Sequence, residues 1–67
     1  MNEDIIKGRW REIKGAVKEK WGKLTDDDLT EINGSREKLA GKIQKSYGLA
    51  QDEVEDQLKK WEKDLSV

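Results

Sequence analysis

The chain has 67 residues, enough for one small domain over 1–67, and 43% of them are charged, with 14 Lys and Arg against 15 Asp and Glu. It contains no cysteine and no histidine, which excludes disulfides, thiol nucleophiles, the usual zinc sites and His-based acid–base catalysis. The net charge of −1 lacks the basic field that general nucleic-acid binding requires, and no apolar run approaches the ~18 residues of a membrane span.

The first helix is predicted over residues 3–21, because Ile6, Trp10, Ile13, Val17 and Trp21 recur at steps of three and four. Lys18, Lys20 and Lys23 gather near its negative C-terminal end. Gly22 stands where the chain is expected to need positive φ to stop the helix. The stretch KWGKLTDDDLTE then reads as a helix stop followed by a helix start. Thr25 N-caps a second helix over 26–33, Asp28 completes a box-like arrangement three residues on, and Asp26, Asp27 and Asp28 face the positive helix end. A third helix over 36–47 carries Leu39, Ile43 and Tyr47, and a fourth over 51–65 carries Val54, Leu58, Trp61 and Leu65. No stretch alternates with period two, so the fold class is all-α. A domain of this size buries a thin core and retains roughly 3–5 kcal/mol of stability.

The chain repeats itself. Glycines fall at 8, 15 and 22 and again at 34, 41 and 48, a shift of 26 residues. Ile6 maps to Ile32, Ile13 to Leu39, Val17 to Ile43, and Trp21-Gly22 to Tyr47-Gly48. After one deletion Leu24 maps to Leu49 and Leu29 to Val54. This describes an approximate duplication: a small bundle of two helical hairpins, about 3–33 and about 36–65, with four helices in all. The charge alternates as well, at +3 over residues 1–24, −4 over 25–34, +3 over 35–48 and −3 over 49–67. Cationic helices thus attract anionic ones, at about 0–1 kcal/mol per exposed pair.

No motif yields a reactive site. Asp26, Asp28, Thr30 and Glu37 fit positions 1, 3, 5 and 12 of a calcium loop, but Glu31 replaces the required glycine. Consecutive helical residues also point about 100° apart, so the three aspartates diverge. The carboxylates are exposed by pattern, and the glycines do not form a phosphate loop. No catalytic, cofactor-binding or metal-ligating residue is therefore expected, and no cofactor. Trp10, Trp21 and Trp61 lie on the apolar stripes and read as core anchors rather than a stacking platform. The basic amphipathic first helix is needed for the core, which argues against a membrane-surface role. Gly8, Gly15 and Gly41 fall opposite the apolar stripes and cost about 1 kcal/mol each relative to alanine. The expectation is that Gly15 seats a neighbouring helix and that Gly8 is close to neutral. The alternatives are deliberately loose helices or a ligand touching the backbone.

The stretch KGRWREIKGAVKEKWGKLTDDDLTEINGSREKLAGKIQKSYG, followed by an acidic helix with Trp61, resembles the CsbD-like family of small bacterial general stress-response proteins. The resemblance covers nearly the whole chain. It implies a helical bundle of duplicated hairpins, induction under stress, and no enzymatic activity, cofactor or ligand, so there are no site residues to carry over. The function expected is that of a non-catalytic, soluble, cytoplasmic stress-response protein, protective in role and monomeric, with no identified partner, no specific nucleic acid and no stable membrane insertion. The alternatives are a protein–protein or membrane-surface adaptor using its Trp-bearing helices, and a weak nucleic-acid binder using the first and third helices.

Overall fold

A computed structural model describes residues 3–65, with side chains from Ile6 onward. Among these residues there are five α-helices and no strand: α1 Glu3–Gly8, α2 Trp10–Lys20, α3 Asp26–Ile32, α4 Arg36–Tyr47 and α5 Gln51–Leu65. The all-α class follows directly from the three- and four-residue apolar spacing. α4 lies at the centre, in contact with α1, α3 and α5. Ile6, Ile13, Val17, Trp21, Leu24, Leu29, Ile32, Leu39, Ile43, Val54, Leu58 and Trp61 form one buried cluster.

The expected single helix over 3–21 is broken at Arg9, which has φ −119° and ψ 21°. A straight helix would carry Ile6 away from the other helices. The break turns α1 back onto α4, and Ile6 becomes fully buried. Tertiary burial overrides a locally continuous helical pattern. Trp10, the first residue of α2, is left at the edge of the core and only half-buried, unlike Trp21 and Trp61.

α3 and α4 both stop in left-handed backbone. α3 ends in left-handed backbone at Asn33, φ 42°, followed by Gly34 at φ 85°. α4 ends at Gly48, φ 65°, whose N–H donates to the Gln44 carbonyl. Gly22 does not play the expected part, since its φ is not positive. α2 instead stops at Trp21, and the chain reverses through a Leu24 N–H to Trp21 carbonyl bond of 3.0 Å.

α2 and α4 begin 26 residues apart, and α3 and α5 begin 25 residues apart. In that register Arg9, which precedes α2, corresponds to Ser35, which precedes α4.

Candidate functional site

The Lys20–Glu31 stretch is a structural junction. The Thr25 side chain accepts from the Asp28 N–H at 3.1 Å, and the Asp28 carboxylate accepts from the Thr25 N–H at 2.9 Å, a complete capping box. The aspartates then diverge. Asp26 takes Lys18 of α2 at 3.2 Å, and Asp28 takes Lys42 of α4 at 3.3 Å. The Thr25 N–H, more than the Lys42 ammonium, holds the Asp28 carboxyl below its ordinary value of 3.8. Lys42 also bonds Glu31 at 2.9 Å, and the two carboxylates, Glu31 before Asp28, hold its ammonium above the ordinary 10.5. Among the described residues no three acidic groups are placed to hold a metal ion.

The second charged cluster joins α4 to α5. The Arg36 guanidinium donates to Glu55 at 2.8 Å and to Glu62 at 3.0 Å. Burial alone would depress the Arg36 pKa, but the two carboxylates, Glu62 first, outweigh it and the net shift is upward. The Glu62 side chain is fully buried, although the sequence pattern places the carboxylates outside. Its position four residues after Leu58 puts it on the apolar stripe of α5, the signal that identifies it. Beside this cluster, a polar groove of about 540 Å³ runs between α4 and α5, lined by Arg36, Glu37, Gly41, Gln44, Gln51 and Glu55.

Aromatic residues tie α2 to the rest. Trp21 meets Trp61 edge-on, with ring centroids 5.1 Å apart and planes at 75°. Its indole N–H donates to Gln57 at 3.3 Å. The Lys23 N–H donates to the Tyr47 hydroxyl at 3.2 Å, and the Lys23 ammonium lies 5.0 Å from the Tyr47 ring.

The outward glycines touch nothing. A Cβ added at Gly8, Gly15 or Gly41 would meet no atom within 4 Å outside its own stretch of helix, so Gly15 does not seat a neighbouring helix, contrary to expectation. The close approach occurs at Gly34, where a Cβ would lie 3.2 Å from the Lys7 Cα and 3.5 Å from the Trp10 Cβ. Nearby, the α1–α2 break opens a notch lined by Lys7, Arg9, Arg11, Asn33, the half-buried Trp10 and Glu12, which pairs with Arg9 at 3.5 Å.

No described helix is long and apolar enough to cross a membrane. No solved structure matches the chain significantly. Among curated relatives, the chain is 59% identical over 59 residues to UPF0337 protein pc0632 of Protochlamydia amoebophila, covering 88% of this chain and 89% of the relative. It is 53% identical over 62 residues to UPF0337 protein YjbJ of Escherichia coli K12, covering 92% and 90%. It is 52% identical over 62 residues to UPF0337 protein ECA0631 of Pectobacterium atrosepticum, with the same coverage. The family model described as CsbD-like matches residues 4–56. With most of its length aligned to that model and to these relatives, the chain belongs to the CsbD-like family.

Proposed function

We propose that this protein is a non-catalytic stress-response protein that acts in the cytoplasm as a monomer and protects other macromolecules through a charged, deformable helical surface. The observation that carries this reading is the open space around Gly15 and Gly41, each inside a helix. Glycine there weakens the helix by about 1 kcal/mol relative to alanine, with no packing gained in return. A highly charged coat over softened helices suits a protein that stays dispersed while the water around it changes. Catalysis, a cofactor, a specific nucleic acid and stable membrane insertion form no part of this role.

The test is recovery of a drying-sensitive enzyme after desiccation with increasing amounts of the protein. Recovery should rise with concentration beyond that given by an equal mass of a rigid helical protein. It should fall in the Gly15→Ala, Gly41→Ala double variant. Recovery no better than the control refutes the reading.

A second reading, weak contact with single-stranded nucleic acid, is favoured by the half-buried Trp10 among Lys7, Arg9 and Arg11. Salt-sensitive retention on single-stranded DNA, lost in Trp10→Leu, supports it. No retention at physiological ionic strength dismisses it.

A further inference from the structure

The two interhelix breaks that the 26-residue register places in correspondence are built very differently. The α3–α4 break is locked. It has Asn33 and Gly34 in left-handed backbone, and Ser35 accepts from the Lys38 N–H at 3.2 Å as a helix cap. The α1–α2 break has none of these. Gly8 does not adopt positive φ, and Arg9, at the capping position, makes no side-chain cap bond. Arg9 reaches outward instead, to Glu12 at 3.5 Å and to the Leu65 carbonyl at 3.4 Å. Nothing in the local sequence enforces this break. Ile6, Trp10, Ile13 and Val17 keep helical spacing straight through it. A continuous helix would let the Trp10 and Arg11 N–H groups donate to the Ile6 and Lys7 carbonyls. What maintains the bend is the seat on the far side, where Ile6 is fully buried and the Lys7 backbone lies against Gly34.

We propose that α1 is an exchangeable arm. At high protein concentration the α1–α2 break straightens, and the Ile6–Lys7 segment of one copy occupies the α4–Gly34 seat of a second copy, giving a domain-swapped dimer. The occupant is argued from the seat itself. Its shape is already complementary to α1, and an identical arm from another molecule makes every contact that the resident arm makes. The straightened helix over 3–21 spans roughly 27 Å, which carries α1 clear of its own α4. The exchange conserves the buried contacts and replaces two uncapped breaks by two continuous helices. Its cost is the loss of independent motion of two chains, so concentration sets the balance.

The experiment uses the full chain and two substitutions at exposed Arg9. Arg9→Ala and Arg9→Ser both remove the contacts to Glu12 and Leu65, but only serine supplies a hydroxyl that can accept from a free N–H at the start of α2, once ψ at residue 9 moves from 21° toward the extended value of Ser35. Light scattering from micromolar to millimolar concentration reads the association. Arg9→Ser should remain monomeric where Arg9→Ala dimerises, with association constants differing by about tenfold or more. Far-UV circular dichroism should show both folded. To locate the arm, Lys7→Cys and Asn33→Cys, which line the same notch in a chain without cysteine, are combined with Arg9→Ala and treated with a short bis-maleimide. Bridging between chains in the dimer fraction is expected. Equal association of the two Arg9 variants, monomers throughout, or bridging only within one chain in the dimer fraction each overturns the proposal.

Discussion

Lys7 crosses Gly34 so closely that a single methyl group on the glycine would stand 3.2 Å from the Lys7 Cα. Gly34 also has φ 85°, where side chains are disfavoured. Gly34→Ala therefore incurs both backbone strain and a backbone collision, and should cost about 1–3 kcal/mol. Urea denaturation measures the loss. Hydrogen exchange should show faster exchange in α1 before the rest of the protein opens.

The outward glycines predict the opposite sign. With no atom outside its own stretch of helix within 4 Å of an added Cβ, Gly15→Ala and Gly41→Ala should each stabilise the fold by roughly 0.5–1 kcal/mol. A rise in the urea midpoint for each variant checks this. A fall would mean that something in solution packs against these positions.

Arg36 bridges two carboxylates, one of them fully buried. Arg36→Met removes the cation and strips Glu62 of that partner, at an expected cost of about 3–5 kcal/mol. The double variant Arg36→Met, Glu62→Met leaves only the partly exposed Glu55 carboxylate and no fully buried charge, and should recover most of the loss. A double-mutant cycle in urea separates the two effects.

Asp28 and Lys42 bound the pH range of the α3–α4 junction. Because the Asp28 pKa is depressed in the fold, its stabilisation is present above 3.8 and fades as pH falls below that value. Because the Lys42 pKa is raised, its stabilisation is present below 10.5 and fades as pH rises through the higher folded value. Asp28→Asn should therefore flatten the acid limb of a Tm-against-pH curve, and Lys42→Met the alkaline limb. Thr25→Ala removes the cap itself and should cost about 1 kcal/mol at neutral pH.

The tryptophans should separate by position. Trp61 is buried and Trp10 half-buried, so Trp61→Ala should cost about 3–5 kcal/mol and leave the chain largely unfolded. Trp10→Ala should cost roughly 1–2 kcal/mol and leave it folded. Far-UV circular dichroism of the two variants distinguishes them.

The helices over 36–47 and 51–65 are legible because their apolar steps agree with the packing, and the Ser35 cap and Gly48 stop fix the bounds of the first. The break at Arg9 is not legible from periodicity, because the spacing from Ile6 to Val17 never falters there. Only long-range burial of Ile6 produces it, and the sequence hint is indirect: the register with Ser35. Glu62 is missed for a related reason, since its carboxylate lies on an apolar stripe and Arg36, one of the groups that meets it there, arrives from another helix. At Gly15 the outward direction is readable, but the absence of a neighbour depends on how all five helices assemble.

The edge-on contact between Trp21 and Trp61 has an optical consequence. Two indoles 5.1 Å apart and inclined at 75° couple their electronic transitions and generate a paired circular-dichroism signal near the band used to judge helix content. That signal arises only when the end of α2 is fixed against α5. It therefore distinguishes the assembled protein from a collection of separately formed helices.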